Sequence, residues 1–422
     1  MIIIYSYKIT QALKYISEVY FDEYAKITDD LDEFEKSTHY KIWYSYQEPS
    51  LGVDLKLKPH ELLLRSNLLS KGIPNFEFET WEQTKLPTKN DVFALGFYLI
   101  SRLEEYFATE YDKHGRYKFE DSILATQNIR IPWVDVWRDL LHKQIQQTHP
   151  QIQFSNKNYK NLVTLDIDHA YLFKGKGTVR NSGSFLKNLA KVNTEYLKAW
   201  KEFKSTGKDP FDSYSYLRKK LREFQTPVLF FILCSDYTKP YDTPINFDSI
   251  EMQNLLVDLR SLGKVGLHPG YESHADISIL KKEKERLQKA LPTALNQTRQ
   301  HFLKFKLPNS YRNLIEVGFK EDYSMGYATT VGYRAGTCRS FYWFDVEKEE
   351  KTELKIYPIS CMDGTLNEYT KLSPQEAIEI IKELKGYCKD YQGIFISLWH
   401  NHSISNRFNW RGWQEVFEES LR

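Results

Sequence analysis

From residue 162 onward, short apolar runs alternate with amphipathic helical segments, and each run stops at a residue able to titrate, ligate or clamp. Leu162–Leu165 leads into Asp166-Ile167-Asp168-His169, Val228–Cys234 into Ser235-Asp236, and Val265–Leu267 into His268-Pro269-Gly270. Arg299–Leu303 carries His301, and Val331–Arg334 leads into Ala335-Gly336-Thr337. Leu354–Ile359 precedes Met362-Asp363-Gly364, and Gly393–Trp399 ends at His400. Runs this short and this apolar read as strands buried on both faces, and their alternation with helices reads as parallel βα units. Such units place every strand's C-terminal tip on one rim, where polar tips can meet. An open doubly wound sheet also gathers polar tips, but it concentrates them at one switch point, and no Gly-x-Gly-x-x-Gly or Gly-Lys-Ser/Thr phosphate loop occurs here. The expected fold is therefore α/β: a distorted (β/α) barrel of about seven strands over residues 158–422.

Residues 1–157 read as a smaller α/β accessory domain. Met1–Tyr5 and His39–Tyr46 have strand patterns, and Ile9–Tyr24 has helical spacing. Asp91–Tyr106 is a helix that Asp91 can cap, and Trp133–Gln146 is a helix opened by Pro132. Glu104 and Glu105 are expected on its solvated face. The polar stretch Ser155–Asn161 is the expected boundary. Between them, 184–224 is helical with breaks at Gly207 and Pro210, and helices are expected over 248–262, 276–291 and 373–385.

Charge excludes some functions. A net charge of +2 without a dense basic stripe gives no reason to expect nucleic acid. No run reaches the length of a membrane span. Met1–Lys8 is too short for a signal segment and lacks a basic leader, so a cytoplasmic protein is expected, with Cys234, Cys338, Cys361 and Cys388 as reduced thiols.

Collected at one rim, the candidate residues are Asp166, Asp168, His268, His301, Arg334, Asp363 and His400. Asp166 and Asp168, two apart on a strand, leave it on the same side, and paired buried carboxylates need a shared proton or cation. Carboxylates with imidazoles suit a borderline divalent metal such as zinc. One acid can then ligate while the other takes a proton from water.

Over roughly residues 160–422 the chain resembles the polysaccharide deacetylases of carbohydrate esterase family four, the NodB-homology domain. Thr164-Leu165-Asp166-Ile167-Asp168 is similar to the first family motif, which implies Asp166 as general base and Asp168 as metal ligand. Gly266-Leu267-His268-Pro269-Gly270-Tyr271-Glu272 is similar to the second, His-x-x-x-His, but Glu272 stands where the second histidine would. Glu272, His274 or His301 then completes the site, and His301 is preferred because its segment begins the next strand. Gly332-Tyr333-Arg334 resembles the third motif, whose arginine steadies the base. Met362-Asp363 resembles the fourth, whose acid orients the catalytic histidine, and Ser397-Leu398-Trp399-His400 resembles the fifth, whose histidine is the general acid. The resemblance implies a metal-dependent hydrolase, with Zn²⁺ held by Asp168, His268 and His301, acting on the acetyl group of a sugar, glycan or glycoconjugate. The aromatic content of 15% suits a cleft that stacks on sugar rings, with Tyr271, Trp399 and Gly336 expected to line it. Two other functions are open: a decayed deacetylase that only binds carbohydrate, and hydrolysis of another non-peptide C–N bond.

Overall fold

The computed structural model describes residues 1–154, 158–238 and 240–422, so Ser155, Asn156 and Lys157 of the expected boundary lie outside the described residues. It is a mixed α/β structure with two sheets. The smaller one consists of β1 (Ile2–Tyr5), β2 (Ala25–Thr28), β3 (Tyr40–Tyr44) and β4 (Leu55–Leu57), all parallel, in the order β2-β1-β3-β4. The larger comprises β5 (Lys160–Ile167), β6 (Val228–Leu233), β7 (Lys264–His268), β8 (Gln297–Thr298), β9 (Glu321–Asp322), β10 (Phe341–Asp345), β11 (Glu350–Ile356), β12 (Cys361–Met362) and β13 (Ile394–His400). Its order is β10-β11-β9-β8-β7-β6-β5-β13-β12, parallel except for the β10–β11 hairpin.

The ladder is open: no hydrogen bonding joins β10 to β12 among the described residues. The sheet is nevertheless strongly curled. Strands β5 and β8 are three places apart, about 14 Å in a flat sheet. Yet Arg299, one residue past β8, donates to Thr164 of β5 at 2.7 Å. The chain from Glu350 to Met362 pairs with β9 through β11 and with β13 through β12. Between these, Ile359 N–H donates to Met325 and Ser360 N–H to Ile396.

Strand alternation divides the side chains between two cores. Val163 and Leu165 of β5, Phe230 and Ile232 of β6, and Phe395 and Trp399 of β13 face outward into the main apolar cluster beneath the helices. Leu229, Phe231, Tyr323, Ile359, Ile396 and Leu398 fill a separate cluster on the concave side. Gly266 permits that filling, because a Cβ there would stand 2.7 Å from the Phe231 ring. The inward parity of β5 and β13 continues into Asp166 and His400, at the strand tips.

The main cluster also runs through residues 1–154. The helix Val92–Ser101 is buried on every side, capped by Asp91, whose carboxylate accepts from Phe93 N–H. All-round burial is what a helix between two packed layers requires. Its Phe97 packs edge-on against Phe344 of β10, and Leu99 lies against Gly336. The expected continuation to Tyr106 is interrupted at Arg102, which adopts a left-handed backbone before a 3₁₀ turn over Leu103–Phe107. Two expected strands are also different. Val331–Arg334 is irregular, and Arg299–Leu303 lies beyond β8, with a 3₁₀ turn over His301–Leu303.

Candidate metal centre

Asp166 ends β5's inward row, and Asp168 follows just past the strand. Both are nearly buried. One Asp166 carboxylate oxygen accepts from Arg299 Nη1 at 2.9 Å, and the other lies 3.6 Å from His268 Nε2. Asp168 Oδ1 is 3.2 Å from His268 Nε2, while Oδ2 is 3.5 Å from both His301 Nε2 and His400 Nε2. Three imidazoles thus aim the same nitrogen at one carboxylate.

The opposite nitrogen of each ring is fixed. His268 Nδ1 lies 2.5 Å from the Arg299 carbonyl, His301 Nδ1 2.9 Å from Asp242, and His400 Nδ1 2.8 Å from Asp363. A carbonyl or carboxylate at Nδ1 makes it the donor, which leaves an Nε2 lone pair facing inward in the neutral ring. Asp363 is itself held in place because its second oxygen accepts from the His400 backbone N–H at 2.7 Å.

Burial disfavours charge on His301, yet Asp168 and Asp242 push its pKa up to about 9. Burial likewise opposes charge on His400, but Asp363, with Asp168 and Asp166 beyond it, pushes that ring up to about 10. Both shifts have the same origin: the pocket holds more carboxylates than permanent cations, which favours positive charge there.

Donor atoms of Asp168, His268 and His301 all lie within 4.8 Å of one another. One carboxylate and two imidazoles form a donor set that leaves a tetrahedral ion an open position. Asp168 Oδ1 is buried with no well-aligned hydrogen-bond donor, its near neighbour being His268 Nε2 at 3.2 Å, an expensive arrangement that a cation would relieve. The residues therefore fit a divalent metal. Of the three candidates for the second histidine's place, His301 stands in the cluster. Glu272 points to solvent, its side chain 64% exposed, and His274 turns its Nδ1 to the Tyr271 carbonyl.

Four expectations are corrected. Arg334 does not hold Asp166: its guanidinium is buried on Glu105, at 2.9 and 2.6 Å, and stacks over Phe305. Arg299 takes the place beside Asp166, because Arg299 and His301 are two residues apart and enter the pocket together. Glu104 and Glu105 are not a solvated face; both are buried and paired with Arg102. Trp399 cannot line a cleft, since its odd place on β13 sends it outward, buried against Phe417. Gly336 is buried, packed against Leu99 and Val134, and so lines no cleft.

Tyr271 is buried beside the site: its backbone N–H donates to Asp242, and its hydroxyl is 3.1 Å from His114 Nδ1. The ring that solvent reaches is Tyr241, stacked on Tyr271 at 4.0 Å and 37% exposed. Residues 108–118 brace this wall. Arg116 donates to the Phe302 carbonyl at 2.9 Å, and Phe302 and Leu303 both have left-handed backbones (φ 60° and 52°), a strained pair directly after His301.

Arg299, Asp242, Arg116 and Glu105 were the site and support residues that sequence reasoning did not assign. Only Arg299 carried a signal, its i, i+2 spacing to His301. Asp242 sits in an irregular segment where no periodicity operates.

Residues 2–150 match a family of unknown function, DUF7033. No curated protein matches the chain. Among solved structures, the chain is similar to one from Mycobacterium smegmatis described as a "putative polysaccharide deacetylase", at 15% identity and a TM-score of 0.40, covering 64% of this chain and 85% of that one.

Proposed function

We propose that this protein is a metal-dependent hydrolase that removes acetyl groups, N-linked in the first instance, from a carbohydrate or glycoconjugate, with Zn²⁺ as its resident ion. Residues 158–422 form the catalytic unit, read as a distorted seven-strand barrel whose seam is the Glu350–Met362 segment. Residues 1–157 brace it. One observation carries the reading: Asp168, with a buried oxygen that lacks a well-aligned donor, faces three histidines of fixed orientation, beside a second carboxylate that an arginine holds.

Asp168, His268 and His301 hold the ion. Bound there, a divalent cation supplies Lewis-acid polarisation of an acyl oxygen and eases the deprotonation of water. Asp166, restrained by Arg299, accepts the proton of the attacking water. Asp363 orients His400 through Nδ1, so that Nε2 faces the reacting centre and delivers a proton to the departing amine. Tyr241 offers the exposed ring for a sugar face. The two carboxylates near the water differ in role because their partners differ: a guanidinium for Asp166, imidazoles for Asp168.

The test is metal content together with acetate release. The purified protein is expected to carry about one zinc per chain, and to release acetate from N-acetylglucosamine oligomers. Chelation abolishes that release and added Zn²⁺ restores it. A protein that binds the oligomers, holds no metal and releases no acetate is a decayed binder, and the proposal fails. Turnover of cyclic amides in place of acetylated sugars moves the protein to another class of C–N hydrolase.

A further inference from the structure

The segment after Asp168 builds a helical hairpin, Gly177–Ala190 and Thr194–Thr206, that contributes little to the main core. It has a satellite cluster of its own, in which Phe173, Tyr196 and Ala199 pack with Trp200, Phe203 and Phe408. Phe173 follows the β5 tip and Phe408 follows the β13 tip, so the hairpin stands at the end of the sheet that carries Asp168 and His400.

The first helix has no buried residue. Its half-buried positions, Arg180, Asn181, Phe185 and Asn188, lie on one side. On the other, Val179 and Leu186 are 85% and 63% exposed, seven residues apart and hence in one stripe. Leu189 flanks this stripe and Val192 extends it into the turn, also exposed. Isolated exposed leucines are ordinary, but four exposed apolar side chains on one helix and the turn after it are not.

Lysines border the stripe. Lys187 and Lys191 flank it, Lys198, Lys201 and Lys204 stand on the second helix, and Lys174 and Lys208 lie at the two feet, all exposed. The hairpin's two acids are already neutralised from outside, Glu195 by Arg411 at 2.8 Å and Glu202 by Arg407 at 2.7 Å. The chain's net charge of +2 conceals this local excess.

We infer that the hairpin is a docking surface for an anionic lipid bilayer, with Val179, Leu186, Leu189 and Val192 entering the headgroup boundary and the lysines meeting lipid phosphates. An apolar stripe edged by lysines is the pattern of a helix lying in the interface plane. A polyanionic polymer satisfies the lysines and leaves the stripe in water. A second copy of the same hairpin buries the stripe but sets lysine against lysine. The surface therefore seats the protein on a membrane with its strand tips toward the headgroups, and this holds whether or not the proposed reaction does.

Sedimentation of the full chain with vesicles tests this. Vesicles of 7:3 phosphatidylcholine and phosphatidylglycerol are expected to bind it, and phosphatidylcholine alone to bind at least tenfold less. Each lysine near such a surface contributes about fivefold in partitioning. Lys187→Ala with Lys191→Ala then lowers partitioning about 25-fold at low salt, and 0.3 M NaCl weakens the wild type comparably. Leu186→Asp with Leu189→Asp lowers it at least tenfold, with the melting curve unchanged. Should that pair not fold, Val192→Asp, in the turn between the helices, serves the same purpose. Equal binding to both vesicle types, or binding unchanged in the leucine variant, overturns the inference. So does vesicle-independent self-association that the leucine variant abolishes, or binding to heparin without binding to vesicles.

Discussion

Two of the buried ionic clusters among the described residues are built on opposite plans. Under Val92–Ser101, Arg102 and Arg334 meet Glu104 and Glu105, two guanidiniums against two carboxylates, with Ser122 and the Ile123 N–H completing Glu104. Burial would raise the Glu105 carboxyl, but Arg334 and Arg102 hold it below the usual range. At the strand tips, Asp166, Asp168, Asp242 and Asp363 converge, and among the described residues Arg299 is the one guanidinium hydrogen-bonded to them. There burial opposes charge, yet the excess of carboxylates pushes the pKa values of His301 and His400 up. The balanced cluster fastens two layers together, although its Arg102 Nη1 is buried without a hydrogen-bond partner. The unbalanced one has an excess of carboxylates that suits a cation from outside.

The contrast is broken most directly through the tip residues. Asp166→Asn and His400→Ala are each expected to lower acetate release by about 10²–10⁴-fold while leaving the fold, read by circular dichroism, unchanged. Near-wild-type turnover in either variant makes the tip cluster structural, like its counterpart. The reverse behaviour is expected of Glu105→Ala. Removing one partner of a buried pair leaves Arg334 uncompensated and costs about 3–5 kcal/mol of stability, read from denaturant unfolding. Burial would raise the Asp168 carboxyl, but in the metal-free protein His301 and His268 hold it well below the usual carboxylate range, so Asp168→Asn is expected to lower the melting temperature at neutral pH. A melting temperature that stays level would show that the tip carboxylates repel one another more than the histidines hold them.

What the sequence disclosed follows the same division. Strand tips are legible because a buried run that ends in Asp166 or His400 leaves a local signature within a few residues. The pairing of Asp363 with His400 is implied by the family resemblance, and His301 is preferred because its segment is expected to open the next strand, where the structure has a 3₁₀ turn. Arg334 was misassigned because motif order says which residue ends a loop, whereas its partner is chosen by packing: Glu105 lies 229 residues away in the chain. Glu104 and Glu105 look solvated by helical periodicity, but the helix breaks at Arg102, and the break turns them inward. Trp399 was legible after all. Alternation along β13 puts Leu398 and His400 on the concave face and Trp399 on the other, and the expectation for Trp399 ignored that parity.

A third buried carboxyl sharpens the comparison. Asp322 has neither arrangement: Ser324 and Tyr311 donate to it, and no arginine or lysine is bonded to it among the described residues. Burial pushes its pKa up to about 6, against the pull of those donors and of Arg299 further off. The native state thus binds a proton more tightly than the unfolded chain does. Its contribution to stability is complete below about pH 4 and is lost as pH rises from about 4 to 6. Roughly two pK units amount to about 3 kcal/mol. Asp322→Asn is expected to flatten that part of the stability–pH curve in urea titrations between pH 4 and 7. An unchanged slope would mean that the hydrogen bonds alone keep Asp322 ionised, as arginines do for Glu105.

The smallest expected effect separates residues that tune the unbalanced cluster from those that merely surround it. Asp242 touches His301 Nδ1, whereas Arg116, paired with Asp112, reaches only the backbone carbonyl of Phe302 beside that ring. Partners of a ligating histidine's far nitrogen typically set about 10–100-fold of metal affinity, since they fix the ring and raise its basicity. Asp242→Asn keeps an acceptor for the Nδ1 proton but removes the charge. It is expected near the lower end, about tenfold weaker zinc binding in a competition assay with a chromophoric chelator. Arg116→Ala frees a strained turn without touching the ring, so a loss of less than about threefold is expected. If Arg116→Ala weakens zinc as much as Asp242→Asn, ring orientation depends on the backbone after His301 more than on the charge behind it. Residues 108–118 would then belong to the metal centre and not to its surroundings.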